Sequence, residues 1–212
     1  MVNNPILSSL VVASGNAGKL REFDRLLKPL GIAVHSQAEF GVESPPEPYG
    51  TFLENSLTKA RHASAHTGLP ALADDSGICV PALGGAPGVH SARYADPVAG
   101  VQQDVLNNAK LVQALAHHED RRAFYVAVLV LVLCPDDPLP IVAQGLWAGE
   151  VSEQPKGVNG FGYDPHFWLP GLDATAAELD PTEKNQLSHR ALAMQTLIAQ
   201  LANRGLLATP SC

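Results

Sequence analysis

Three short stretches of this chain carry the residue types that phosphate chemistry calls for. Ser14-Gly15-Asn16-Ala17-Gly18-Lys19 reads as a glycine-containing turn that leaves an apolar strand and opens a helix. Free backbone N–H groups and the Lys19 ammonium would there face an anionic oxygen. Ala73-Asp74-Asp75-Ser76-Gly77 supplies carboxylates where a divalent cation and an attacking water would be needed. Ser188-His189-Arg190 supplies cationic donors. Together they point to a pocket for a nucleoside triphosphate and to phosphate cleavage.

Each stretch has a plainer reading. The turn at Gly15 to Lys19 is no P-loop: the spacing is too short, and Leu20 stands where a Ser or Thr should hold magnesium. It does not satisfy the dinucleotide fingerprint either, and a simple strand-to-helix connection would look similar, although Asn16 and Lys19 have nothing to pack there. Asp74 and Asp75 are like charges side by side, a repulsion that a metal relieves and that a solvated turn also tolerates. Neighbouring side chains on a strand point to opposite faces, so one of the two is expected to do the chemistry. Phe161-Gly162-Tyr163-Asp164 offers an aromatic plate for a base and a carboxylate for a ribose or base edge, or else a strand start with both rings in the core. Glu54 reads as a capping-box partner and Glu47 as surface. His62, His66, His117 and His118 read as solvated or locally bonded, whereas His189 beside Arg190 is better explained by an anionic ligand.

The elements that must position these groups follow from periodicity and punctuation. Leu10 to Ala13 reads as a first strand and Ala17 to Leu30 as the helix after it, with Leu20, Phe23, Leu26, Leu27 and Leu30 at helical spacing and Gly31 as the stop. Ile32 to Ser36 predicts a second strand, followed by the irregular loop Glu43-Ser44-Pro45-Pro46-Glu47-Pro48. Thr51 caps a helix whose face is predicted as Leu53, Leu57, Ala60 and Ser64, with Asn55 and Lys59 sharing another face. Ala71 to Ala73 reads as a short strand ending at Asp74 and Asp75. Val101 to His118 reads as an amphipathic helix, and Ala123 to Cys134 as a buried strand paired in a hairpin with the alternating Ile141 to Val151. Gly157 to Asp164 is a glycine-rich loop. A last helix begins at Asp180-Pro181 and runs through Leu201, with Leu187, Ala191, Met194, Ile198 and Leu201 as its apolar stripe. The fold class is therefore α/β, a mixed sheet with helices on its flanks, in one domain over residues 1–212.

Composition narrows the function. A net charge of −7 argues against a nonspecific nucleic-acid binder, because such proteins carry a basic footprint. Cys79, Cys134 and Cys212 match no metal or redox spacing, so reduced thiols in a cytoplasmic protein are expected. Met1 to Ser9 lacks the pattern of a signal peptide. The apolar run Ala123 to Cys134 is shorter than the roughly 18 residues a membrane helix requires, so no membrane partner is expected.

From about Leu10 to Leu201 the chain resembles the inosine triphosphate pyrophosphatase family, the non-canonical purine nucleoside triphosphate pyrophosphatases. The motifs that carry the resemblance are Ser-Gly-Asn-Ala-Gly-Lys at 14 to 19, Thr-Phe-Leu-Glu-Asn at 51 to 55 and Ala-Asp-Asp-Ser-Gly at 73 to 77. They continue with Gly-Gly-Ala-Pro-Gly at 84 to 88, Ser91-Ala92-Arg93-Tyr94, Gly-Phe-Gly-Tyr-Asp-Pro at 160 to 165, Glu-Lys-Asn at 183 to 185 and Ser-His-Arg at 188 to 190. Asn159 and Ala191 stand where the family usually has Gly.

The resemblance implies an elongated α/β fold of two lobes with an intervening substrate cleft, a homodimer, and dependence on magnesium. It implies hydrolysis of ITP, dITP or XTP between the α and β phosphates, giving monophosphate and pyrophosphate. Asp75 is implied as general base and metal ligand, with Glu47, or Glu54 behind it, as the second ligand. Ser76 is implied to touch substrate, Ser14, Gly15, Asn16, Ala17, Gly18 and Lys19 to hold phosphates, Phe161, Gly162, Tyr163, Asp164 and Lys184 the nucleoside, and His189 and Arg190 the base. A pyrophosphatase for other modified nucleotides and a catalytically silent nucleotide sensor are the competing expectations.

Overall fold

The computed structural model describes residues 7–207, and of Ala17 only the backbone. Cys212, most of the Met1 to Ser9 segment read for a leader, and the side chain of Ala17 lie outside the described residues. A single mixed sheet has the strand order β2-β1-β3-β4-β5-β6-β7. Its strands are β1 (Ser9–Val12), β2 (Ala33–Ser36), β3 (Ala71–Cys79), β4 (Arg122–Val132), β5 (Ile141–Val151), β6 (Phe167–Leu169) and β7 (Ala174–Thr175). The helices are α1 (Ala17–Leu27), α2 (Phe52–Thr67), α3 (Gln103–Ala114), α4 (Pro181–Leu187) and α5 (His189–Asn203). No described helix is long and apolar enough to cross a membrane.

The chain divides into two compact units, with β3, β4, β5 and α5 each contributing to both. The first takes its described residues from 7–75, 128–144 and 193–207. In it β1 runs parallel to β2 and β3, with Leu10 opposite Val34 and Val12 opposite Leu72. Buried Val11, Phe23, Leu27, Leu129, Leu131 and Leu197 supply its apolar interior. The expected first helix is α-helical only to Leu27 and tightens to a 3-10 turn at Lys28–Leu30, because Pro29 lacks the N–H a further α-turn requires. Gly31, at φ 78°, then closes it.

Two expectations in this unit are corrected. Helix α2 is capped by Thr51 as predicted, but it buries Asn55, Ser56, Lys59, Ala60, Ala63 and Ser64 and leaves Leu53 43% exposed. The polar residues go inside because each finds a partner there. The Ser56 hydroxyl donates to Val128 O, that of Ser64 donates to Leu69 O, and the amide of Asn55 both donates to and accepts from the Tyr49 backbone. Strand β3 does not stop at Ala73 but continues to Cys79, so Asp74 and Asp75 lie in mid-strand at 2% and 8% exposure. Gly77 allows the continuation, because a Cβ there would collide with Ser91 Oγ and Gly88 O.

The second unit comprises 76–127 and 145–192. Tyr125, Trp147, Phe167, Ile78 and Leu111 belong to its core, with the Tyr125 and Phe167 ring centroids 4.4 Å apart. Strand β5 alternates buried and exposed residues along its whole length, as predicted, and pairs antiparallel with β6, which pairs antiparallel with β7. It neighbours β4 in the sheet, and residues 133–140 are too few for a parallel crossover, so the two form the expected hairpin. Helix α3 is shorter at both ends than the amphipathic pattern suggested.

The predicted last helix is two helices. Ser188 adopts ψ 156°, ending α4, and its hydroxyl accepts from Ala191 N at 3.3 Å to cap α5. Leu187 consequently leaves the apolar stripe and is 37% exposed, while Ala191, Met194 and Leu201 stay buried.

Candidate active site

In the first unit the acidic pair of β3 meets two lysines on opposite faces of the strand. Asp74 pairs with Lys19 of α1 at 2.8 Å. Asp75 Oδ1 accepts from Lys59 Nζ at 3.0 Å, and the same ammonium donates to Glu47 Oε1 at 2.9 Å and to Asp74 O at 3.0 Å. Lys59 thus directs its three donors at one small acidic space. The two bonds that Asn55 makes to Tyr49 tie the Pro-rich loop to α2, which is how Glu47 is brought to the strand.

Electrostatics here are strained in one place. Burial alone would lower the Lys59 ammonium, but the Asp75 and Glu47 carboxylates hold it above its ordinary value. Burial pushes Asp75 above the usual carboxylate range, with Lys59 and Asn55 pulling it down and the Glu47 charge adding to the rise. Asp75 Oδ2 is buried and has no hydrogen-bond partner. An ionised, desolvated oxygen left in that condition is costly, and a cation or a bound water offsets it.

Magnesium fits this corner. It takes hard oxygen ligands and binds through one or two carboxylates plus waters and phosphate oxygens, so a dedicated protein cage is not required. Among the described residues no group of three or more His, Cys, Asp or Glu side chains could hold a metal ion. Asp75 with Glu47 is the pair the donor chemistry supports. Glu54 is engaged elsewhere: it accepts from the Thr51 hydroxyl at 2.6 Å in the helix cap, on an exposed turn.

The glycine turn differs from expectation. The backbone N–H groups of Gly18 and Lys19 both donate to Asn16 Oδ1, at 2.8 and 3.1 Å, and Asn16 N donates to Ser14 Oγ. Those amides are therefore committed to the cap of α1, and Lys19 is held by Asp74. Ser14, Gly15, Asn16, Gly18 and Lys19 do lie together at the start of α1. A Cβ at Gly15 would meet nothing, so no protein contact demands glycine there.

In the second unit the predicted nucleoside residues form one connected network. Asp164, 3% exposed, accepts from Tyr125 OH at 3.2 Å, from Phe161 N at 2.7 Å and from Lys184 Nζ. Its carboxylate ties together the loop, β4 and α4. Gly160 sits at φ 78°, and a Cβ there would strike the Asp164 carboxylate and Lys184, so only glycine fits. Lys184 Nζ lies 5.2 Å from the Phe161 ring centroid. The two rings named in the sequence separate: Phe161 is 63% exposed, whereas Tyr163 is buried and donates its hydroxyl to Ser91 O at 2.8 Å. Burial raises the Tyr163 phenol well above its ordinary value.

The His189 ring stacks on Tyr125 at 4.8 Å with 11° between planes, and Arg190 donates to Ser76 Oγ at 3.3 Å. Both are buried at the first turn of α5, a placement that depends on the break at Ser188.

Lys59 is the functional residue that sequence reasoning missed. Its signal was the i, i+4 pairing with Asn55 on a face set apart from the leucines. Of the helical histidines, His62 contacts Glu43 O through Nε2 and His66 contacts His62 O through Nδ1, the local bonding expected of them.

Compared with known proteins, residues 10–200 match the model of the Ham1 family. The dITP/XTP pyrophosphatase of Bordetella pertussis is 58% identical over 202 residues, 95% of this chain and 95% of its own length. That of Burkholderia pseudomallei is 58% identical over 194 residues, 92% of this chain and 93% of its own. Among solved structures, a HAM1 protein from Coxiella burnetii superposes with a TM-score of 0.87 at 46% identity, covering 92% of this chain and 98% of that one. The nucleoside-triphosphatase / dITP/XTP pyrophosphatase of Mycobacterium abscessus gives a TM-score of 0.75 at 40% identity, covering 91% and 99%.

Proposed function

The chain belongs to the Ham1 family, and from that premise we propose that it hydrolyses the non-canonical purine nucleoside triphosphates ITP, dITP and XTP to monophosphate and pyrophosphate. Relatives at 58% identity over nearly the whole chain are named for this substrate class. The observation that carries the chemistry is Asp75: buried, raised above the usual carboxylate range, and holding one oxygen without a partner.

Asp75 serves as the general base that orients and deprotonates water, a role that suits a carboxylate whose proton affinity has been raised by burial. Asp75 and Glu47 would hold magnesium, which would supply neutralisation of charge on the phosphate oxygens. Lys59 keeps both carboxylates in place. The phosphates are taken by the turn from Ser14 through Gly15, Asn16, Ala17 and Gly18 to Lys19. For that, Lys19 exchanges Asp74 for a phosphate oxygen, or its ammonium serves both.

The nucleoside end is taken by Phe161 as a base plate, with Gly162 and Tyr163 supporting the plate and Ser76 touching substrate. Lys184, His189 and Arg190 provide donors to the purine. Position 6 of hypoxanthine and xanthine is an oxygen, whereas adenine has an amino group there. Donors at that edge satisfy the former and leave the latter's hydrogens facing hydrogens. Lys184 gives one N–H to Asp164, and an ammonium has two more.

Incubation with magnesium and a panel of nucleotides tests the reading directly. Pyrophosphate should appear from ITP, dITP and XTP far faster than from ATP. Release of orthophosphate, or equal rates on ATP and ITP, would overturn it. The same reading carries a homodimer, testable by sizing in solution, and a cytoplasmic location, which the free thiols of Cys79 and Cys134 fit.

A further inference from the structure

Phe161 combines an exposed ring with a pinned backbone. Its own N–H donates to Asp164 Oδ2, and Asp164 N donates back to Phe161 O at 3.3 Å. The next residue is held from outside the loop through both its backbone N–H and its carbonyl. Gly162 N donates to Asp104 Oδ2 at 2.7 Å, and Gly162 O accepts from Asn108 Nδ2 at 2.7 Å. Asp104 and Asn108 stand four apart on α3, so one helix face presents an acceptor and a donor at the spacing of a single glycine residue.

Asn108 is retained there against its own burial. Nδ2 also donates to Asp104 O at 2.8 Å, and because both of its partners are carbonyl oxygens the amide orientation is fixed. That orientation leaves Oδ1 buried with no partner. A side chain kept with one orphaned acceptor is kept for its two donors. The neighbouring Asn107 does equivalent work on another segment, accepting from Ala95 N and donating to Ser91 O. Helix α3 is thus a polar frame for loops as well as a wall of the core.

We propose that Asp104 and Asn108 are positioning residues for the nucleoside: they clamp Gly162 so that the Phe161 ring is presented in one place before substrate arrives. This rests on the proposed role of Phe161 as base plate and extends it to two residues that touch no substrate. Preorganisation of this kind acts on nucleoside affinity, because the ordering of the loop has been completed in the folded chain.

The polarity of the clamp makes the test specific. Asp104→Ala and Asn108→Asp each remove one of its bonds, the latter by setting an oxygen against Gly162 O. KM for ITP should rise about ten- to hundredfold, with kcat changed by less than about threefold. Asp104→Asn keeps an oxygen that can accept from Gly162 N and should recover most of the loss. Inhibition by inorganic tripolyphosphate, which has no base to stack, should be unchanged in all three variants, and thermal melts should show each folded at the assay temperature.

An unchanged KM in Asp104→Ala overturns the clamp, as does Asp104→Asn failing as badly as Asp104→Ala. Should a variant fail to fold, ITP binding is compared instead in Asp104→Asn and Asn108→Ala combined with Asp75→Asn, where weakening in the second pair alone is expected and equal affinities overturn the proposal. If the unaltered protein neither cleaves nor binds ITP, the proposed function has failed and the clamp falls with it.

Discussion

Two lysines paired with buried carboxylates, one in each unit, are built from the same chemical parts to opposite ends. Asp164 with Lys184 is complete: both carboxylate oxygens are occupied, by Tyr125, Phe161 N and Lys184. Asp75 with Lys59 is incomplete, because the ammonium is divided among three acceptors and Asp75 Oδ2 has none. A satisfied pair fixes a loop, whereas an unsatisfied one stores demand for a ligand. The difference lies in what surrounds the two ions.

The sharpest way to separate the two pairs is to neutralise one carboxylate at a time. Asp75→Asn should lower kcat on ITP about 10²- to 10⁴-fold while leaving the thermal midpoint close to that of the parent, since the group it replaces was poorly satisfied as an anion. Asp164→Ala should do the reverse in order of cause. It leaves a half-buried ammonium and a buried phenol without their acceptor, so it should reduce stability by about 1–3 kcal/mol, read by denaturant unfolding, with activity following the fold. Equal loss of stability in both variants would break the comparison.

A subtler effect is expected in the titration of the metal-free protein. Burial raises the Asp75 carboxyl there, so followed by NMR it should titrate above the ordinary carboxylate range. Lys59 holds that value down, so Lys59→Met should move the titration to higher pH. A titration that moved down, or not at all, would mean that Lys59 does not govern Asp75.

The smallest effect separates the two candidate metal partners. Glu54→Ala should lower stability by only roughly 0.5 kcal/mol through its helix cap and leave the magnesium requirement alone. Glu47→Gln should raise the magnesium concentration needed for half-maximal rate.

The contrast also marks what a sequence discloses. The start of α1 at Ala17, the Thr51 cap and the alternation of β5 are local patterns of spacing, and the structure repeats them. Lys59 was invisible as a site residue because a helical lysine is ordinarily solvated. Only the Tyr49 loop, held by Asn55, and the strand beneath it turn that face into an interior. Strand β3 is longer than its sequence suggests because two adjacent aspartates look like an exit from a sheet, and their burial becomes intelligible once both lysines are seen. The break at Ser188 was missed because the apolar stripe could be drawn through it, although serine is a residue that starts helices. Asp104 and Asn108 belong to the same class, since their partner Gly162 lies more than fifty positions along the chain.

Lys59 carries one further implication. A small metalloprotein whose ligands are bare anions tends to unravel when the ion is withdrawn. Here a resident ammonium already sits between the Glu47 and Asp75 carboxylates as a built-in counter-ion. Chelator should therefore silence turnover while the melting curve stays nearly where it was, an idling state that a returning divalent ion restarts without refolding.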